Sequence, residues 1–266
     1  MNEIIKITDQ VQNYKLAQSY QMIEAKLNVS SLALNIFYFI AMQVDSKKDN
    51  DFFTYQISKV DLDKKLGLNT DYNALKRVAK ELTSNSINIQ SLDKKGFKYR
   101  PLFSVCDYEE GILTFEIHKD LKEHFINLKN NYISVDFLNN VVKIKSSYAK
   151  RMYFMLKQRS NLGTWEYELS FLKEVLKTPK YMDRYKEFRI HVLDKTLEEV
   201  NKFTDLEVSY KEIKTKRSVT GVRFFIKSKN VKKESKFKKY NKVNKQNKTN
   251  NAVTALEEFY FETVND

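Results

Sequence analysis

Side chains that could do chemistry are few and scattered. Three histidines (His118, His124, His191) and a single cysteine (Cys106) occur among 266 residues, and no two sit at metal-ligand spacing. A nicking enzyme that holds its metal on a His-x-His pair beside a nucleophilic tyrosine would find sixteen tyrosines here, but not the pair. The five glycines (Gly67, Gly96, Gly111, Gly163, Gly221) form neither G-x-x-x-x-G-K-S/T nor G-x-G-x-x-G, which excludes phosphate-loop and dinucleotide chemistry. Asp61 and Asp63 flank Leu62 in a first helical turn, where paired acids answer the helix dipole. No set of acid, base and nucleophile can be named, so the expectation is a protein without catalytic residues, metal or cofactor. Cys106, in the apolar run LFSVC, is expected as a small buried hydrophobe, and alone it closes no internal disulfide.

What the chain does offer is recognition chemistry. The stretch from Thr178 to Lys202, TPKYMDRYKEFRIHVLDKTLEEVNK, reads as one long helix with Thr178 as N-cap and Pro179 at the first helical position. At helical spacing Tyr181, Met182, Tyr185, Phe188, Val192, Leu193, Thr196, Leu197 and Val200 share a broad apolar face. Lys180, Arg184, Glu187, His191, Asp194 and Lys195 share the other, and Arg189 projects between apolar neighbours. Such a helix is useful for recognition only if its neighbours hold the charged face toward a partner.

Composition bounds the setting. With 42% hydrophobic and 13% aromatic residues the chain can build two ordinary cores. No apolar run approaches a membrane span, and the opening MNEIIKITDQ lacks the pattern of a signal peptide, so a cytoplasmic, membrane-free protein is expected. The net charge of +13 suggests a polyanion partner, yet Lys211 to Lys248 alone holds fifteen Lys or Arg against two Glu. Residues 230–251, rich in Lys and Asn, are expected to be a disordered basic linker, either a solvated spacer or a nonspecific phosphate-binding arm. Residues 252–266, AVTALEEFYFETVND, switch to acidic and aromatic character, as a disordered end or as a short partner-binding segment would.

The elements before the basic tail come in a repeated order. Residues 1–29 read as an extension packed on the first domain, with a strand at Glu3 to Thr8 and a helical pattern near Tyr20 to Ala25. SSLALNIFYFIAMQV is apolar nearly all round, as a central buried helix is. FFTYQI then alternates as a strand, Ser58 with Asp61 forms a capping-box pattern, and Gly67 stops the short helix. Asn69 and Thr70 offer a cap for DYNALKRVAKELTSN, which turns Asn73, Lys76, Arg77 and Lys80 outward. Three strand-like runs follow, INIQSL, FKYRPLFSV and ILTFEI, with Lys94, Lys95, Lys98 and Arg100 giving the first hairpin, or wing, a basic character. Lys119 to Ile144 reads as helical pieces, with Ser134 as a cap.

SSYAKRMYFMLKQRS then restarts the order, its Ala149, Met152, Tyr153, Phe154, Met155 and Leu156 answering Ala33, Ile36, Phe37, Tyr38, Phe39 and Ile40 at an offset of 116. WEYELS and SFLKEVLK answer the strand and short helix, and DLEVSYKEI and GVRFFIK flank a second basic wing, KTKRSVT. The fold class is therefore α+β, two tandem winged-helix domains at 30–133 and 134–229, followed by the basic tail.

In a helix-turn-helix the second helix meets base edges with its first turns. That selects Lys180, Arg184 and Glu187 near the bases and His191 and Lys195 further along; Arg suits guanine and Glu suits cytosine. Lys150, Arg151, Lys157 and Arg159 on the preceding helix, with Lys214, Lys216 and Arg217 on the wing, are expected to grip phosphates. A repressor of the same fold, binding an inverted repeat, stays open on these grounds, and a nuclease is disfavoured.

The second half, through SSYAKRMYFMLKQ, FRIHVLDKTLEEVNKFTDLEVSYKEIK and VRFFIK, resembles the initiator Rep proteins of theta-replicating, iteron-containing plasmids. The resemblance spans roughly Asp9 to Lys229. It implies a basic contact at Arg189, binding of double-stranded DNA at short direct repeats, opening of adjacent AT-rich DNA, and recruitment of host initiator and helicase. It also implies homodimers, joined mainly through the first domain, in equilibrium with the monomers that bind the repeats.

Overall fold

The computed structural model describes residues 3–7, 15–90 and 96–229. Lys94 and Lys95, the basic tail and the acidic end therefore lie outside the described residues. The extension supplies β1 (Ile4–Lys6), β2 (Leu16–Ser19) and the single turn α1 (Tyr20–Ile23), close to where alternation and helical spacing place a strand and a helix. Next comes α2 (Ser31–Ala41), started by Ser30, whose Oγ accepts from the Ala33 amide at 3.2 Å. Its Ala33, Leu34, Ile36, Phe37, Phe39 and Ile40 are all at most 1% exposed, and each large side chain contributes roughly 1.5–3 kcal/mol by burial.

After α2 come β3 (Thr54–Ser58), α3 (Lys59–Leu66) and α4 (Tyr72–Ser84). The capping box forms: Ser58 Oγ accepts from the Asp61 amide at 3.0 Å and donates to Asp61 Oδ2 at 2.7 Å. Gly67 ends α3 in the left-handed region, at φ +63°, where a side chain would strain the backbone. The cap of α4 is Asp71, accepting from the Ala74 amide at 2.7 Å, rather than Asn69 or Thr70. Thr70 is used elsewhere: its hydroxyl donates to Asp63 Oδ1 at 2.7 Å and its amide to Oδ2 at 3.1 Å. Lys59 Nζ donates to the same Oδ2 at 2.7 Å.

Asp63 thus ties the start of α3 to the turn before α4. Burial pushes its pKa up, but the bonds from Lys59 and Thr70 outweigh burial and hold it below the usual carboxylate range. A depressed carboxylate stabilises above its unfolded pKa, and this contribution is lost as pH falls below about 4 through the folded value. Asp63→Asn turns one acceptor into a donor facing two donors and is expected to cost about 2 kcal/mol, read as a lower urea midpoint at pH 7 with a smaller difference from wild type in acid.

The run after α4 folds as β4 (Ser86–Gln90), β5 (Phe97–Pro101), β6 (Phe103–Glu109) and β7 (Ile112–Ile117). FKYRPLFSV is not one strand. It breaks after Pro101, which brings no N–H to a ladder; β5 pairs only with β4, and β6 pairs with β7 in the main sheet. That sheet has the order β1-β3-β7-β6. By topology the first wing is β6–β7, whose turn carries Glu109, Glu110 and Gly111, so the first wing is acidic at its tip. The basic hairpin β4–β5 is a separate two-stranded ladder.

A 3₁₀ turn (Lys119–His124), β8 (Tyr132–Val135) and α5 (Phe137–Asn140) lead to the second repeat. Ser134 is no helix cap: it lies in β8, paired with Ala17 of β2, and Asp136 caps α5 instead. Then follow α6 (Ser147–Arg159), β9 (Thr164–Glu168), α7 (Leu169–Leu176), a continuous helix of α8 (Tyr185–Phe188), a π-helical turn (Arg189–Asp194) and α9 (Lys195–Phe203), and the hairpin β10 (Leu206–Thr215) and β11 (Ser218–Ser228). Its sheet runs β10-β11-β9, the same arrangement as β6-β7-β3. Gly221 is needed where β11 passes β9: a Cβ there would sit 3.0 Å from the Tyr167 carbonyl oxygen. The rings of Tyr38 on α2 and Phe154 on α6, 4.8 Å apart, join the two repeated helices in one core. Cys106 is half-buried, and burial pushes its thiol up to about 12, so it stays protonated.

Candidate nucleic-acid interface

The second helix-turn-helix is α7, the eight-residue connection 177–184 and the α8–α9 helix. That helix begins at Tyr185, not at Thr178. Lys177 adopts φ +47°, Pro179 is extended at ψ 156°, Lys180–Asp183 form a 3₁₀ turn, and Arg184 is extended again before Tyr185. Thr178 Oγ1 is buried without a hydrogen-bond partner and caps nothing. The Thr-Pro pair therefore belongs to the turn, where proline's fixed φ serves an extended backbone as well as a helix. Lys173 on α7 clamps this turn by donating to the Asp183 carbonyl at 2.7 Å.

The helix packs through Phe188, Val192, Leu193, Thr196 and Val200, all buried, with Met182 of the turn beside them. Two tyrosines pin it to the hairpin. Tyr185 Oη donates to Glu212 Oε1 at 2.8 Å, and Tyr210 Oη donates to Asp194 Oδ1 at 3.1 Å. Burial and then the Asp194 bond push Tyr210 up to about 12, while the Tyr185 and Lys214 bonds hold Glu212 below the usual carboxylate range. These ties fix the angle between helix and wing.

Lys180, Arg184, Arg189, His191 and Lys195 are all exposed, with Glu187 half-buried among them. Arg189, ambiguous on a regular wheel, faces solvent; its Nε is 3.7 Å from Asp194 Oδ2 across the π-helical turn. Glu187 lies between Arg184 and His191, 3.8 Å from Arg184 Nη2 and 3.6 Å from His191 Nε2. Tyr181 belongs to the exposed side rather than the apolar face, its ring 6.0 Å from that of His191. Lys186 is a further exposed cation that the pattern did not single out. Starting the helix at Tyr185 puts it in the first turn, so the true start is the signal that finds it.

The second wing carries Lys214, Lys216 and Arg217, all exposed, with Lys216 at φ +57° in the β10–β11 turn. Lys214 is 3.2 Å from Glu212, which aligns it with the helix that Glu212 holds. On the first domain Asn73, Lys76, Arg77 and Lys80 form an exposed face of α4. Lys98 is exposed on β5, 3.2 Å from Glu123.

The α6 cations are a correction. Lys150 and Arg151 are not on a DNA-facing surface: they are 0% and 5% exposed. Lys150 Nζ donates to Ser31 Oγ at 2.6 Å and to the Ile144 carbonyl. Arg151 donates to the carbonyls of Leu27 at 2.9 Å, Val175 at 2.7 Å, Ile23 at 3.4 Å and Ala25. Burial lowers them to about 8 and about 10. Each satisfies backbone acceptors that would otherwise be stranded in the core. Lys157 and Arg159 are half-buried and engaged as well, Lys157 with Asp205 at 2.6 Å and Arg159 with Glu24 at 3.2 Å and over the Trp165 ring at 4.1 Å. The phosphate-gripping expectation for α6 gives way to a structural role, because α6 is the central helix of its repeat and not its outer face.

Among the described residues no three His, Cys, Asp or Glu side chains are grouped to hold a metal ion, and no helix is long and apolar enough to cross a membrane. The fold is similar to that of the Pi initiator protein, solved in complex with iteron DNA: the TM-score is 0.66 at 16% identity, over 83% of this chain and 99% of that one. Domains 2 and 3 of RctB align over 76% of this chain and 83% of that one, with a TM-score of 0.43 and 15% identity. At the level of sequence, the family model for the first winged-helix part of the initiator replication protein (WH1) matches residues 15–157, and that for the second part of the initiator Rep protein (WH2) matches residues 168–226. The chain belongs to the initiator replication protein family.

Proposed function

We infer that this protein initiates plasmid DNA replication by sequence-specific binding to short direct repeats in duplex DNA. The observation that carries the reading is the joint presentation of Arg184, Glu187, Arg189, His191 and Lys195 by a helix whose angle to the basic wing is held by the Tyr185–Glu212 and Tyr210–Asp194 bonds. Family membership and the iteron DNA bound to the Pi relative support the same assignment. The first turn of the helix enters the major groove, and the wing holds flanking phosphates. The α4 face, Asn73, Lys76, Arg77 and Lys80, adds contacts from the first domain.

The mechanism has no chemical step. Several copies bound side by side bend the DNA, and the strain lowers the cost of opening an adjacent AT-rich segment. Host initiator and helicase then join, and a homodimer formed through the first domain competes with the monomer that binds repeats. Such a protein acts in the cytoplasm, where the plasmid is. The test is transformation: the gene and its flank, on a fragment without another replicon, are expected to be maintained as a plasmid in the host. Failure of maintenance together with binding to an inverted repeat alone would make the protein a repressor instead.

Lys216 supplies a separate expectation. As a phosphate contact without base readout, Lys216→Ala weakens binding equally on specific and random duplexes and lowers the slope of log affinity against log salt by about one. Fluorescence anisotropy across a salt series measures both.

A further inference from the structure

We propose that the groove between α2, the end of α3, the segment after α5 and the end of α9 is a docking site for an acidic peptide segment of a partner protein, one that carries bulky apolar side chains. The groove encloses about 760 Å³. Its floor is apolar: Leu32, Leu68, Leu138, Val142 and Phe203 line it, and all five remain half-exposed while packing on the core. Its charged lining is of one sign, Lys64, Lys65, Lys143 and Lys145, with no Asp or Glu among the lining residues. Lys143 and Lys145 are exposed and form no ion pair among the described residues.

An extended peptide supplies both needs at once: apolar side chains for the floor and carboxylates for Lys143 and Lys145. Duplex DNA answers only the lysines, because a phosphate backbone has nothing to bury against five apolar side chains.

The experiment selects a phage-displayed library of random twelve-residue peptides on the immobilised full chain, then measures one synthesised consensus peptide by anisotropy. The expected result is a consensus combining Asp or Glu with Leu or aromatic residues, binding one peptide per chain. Lys143→Glu with Lys145→Glu, both exposed positions, is expected to weaken it at least tenfold, and Leu138→Asp to do the same with the lysines intact. Circular dichroism and unchanged binding of repeat DNA by the Leu138 variant check the fold. No enriched consensus, a consensus without acids, or a peptide whose affinity neither substitution changes would overturn the proposal. Displacement of the peptide by random duplex DNA would overturn it too, assigning the lysines to the DNA track.

Discussion

Arg151→Ala is expected to lower the stability of the protein by about 3–5 kcal/mol, the range for removing one side of a buried charged hydrogen-bond set. The guanidinium is the common donor to four carbonyls, three from residues 23–27 and one from Val175 at the end of α7. Alanine leaves those acceptors in a dry site and opens a cavity beside α6. Beside it stand Leu27 N to Val175 O at 3.4 Å, the pair of Lys26 with Glu174 and that of Arg159 with Glu24 at 3.2 Å, none of which reaches the Ile23 and Ala25 carbonyls. Arg151→Lys keeps a cation but not the planar fork, so it is expected to recover only part of the loss. Urea unfolding of the three proteins under one condition checks the order wild type, lysine, alanine. Equal stability of alanine variant and wild type would remove the structural role assigned to Arg151.

Arg184→Ala is expected to act on recognition and leave folding alone. The side chain is 76% exposed at the start of the α8–α9 helix, and its nearest charged partner is Glu187 at 3.8 Å. A bidentate contact to guanine contributes about 1–3 kcal/mol of discrimination, so the ratio of affinity for a repeat over random duplex is expected to fall by between roughly fivefold and 150-fold. Binding to random DNA changes far less, since one phosphate-range charge is lost among many. Competition titrations with repeat and random duplexes at one salt concentration give the ratio directly. Equal losses on both DNAs would mean that Arg184 grips phosphate and that base reading lies elsewhere on the helix.

The contrast between these two arginines shows where local pattern carries information. Ser58, Asp61 and Gly67 mark a helix through bonds among near neighbours, and the structure has them as their spacing implies. The wing turn at Lys216 and Arg217 is legible for the same reason, a polar basic turn between two alternating runs. Lys150 and Arg151 look on paper like any cations on a helix. What buries them is the close approach of residues 23–27, Ser31 and Ile144, contacts more than a hundred positions apart in sequence for all but the last. Thr178-Pro179 misleads differently: the pair has the residues of a helix start, but the left-handed Lys177 and extended Pro179 spend them on the connection, and the helix begins six residues past Pro179. The first wing fails by topology, because a run that reads as one strand splits at Pro101 between two ladders.

The consequence for the DNA-facing surface is a smaller and better-defined set. With Lys150 and Arg151 in the core and Lys157 and Arg159 committed to Asp205 and Glu24, the candidate DNA contacts of the second domain reduce to those of the α8–α9 helix with the turn before it and of the β10–β11 turn. On the proposed reading, specificity depends on a few side chains in the first turns, and generic affinity on the wing and the α4 face.

The most direct test of this account is DNase I footprinting of the purified protein on the DNA flanking its gene. Tandem direct repeats are expected to be protected, each about two helical turns from the next, so that successive copies bind one face of the duplex. Arg184→Ala is expected to blur that pattern at concentrations that still coat the fragment. Uniform coverage by the wild-type protein, or protection confined to a single inverted repeat, would contradict it.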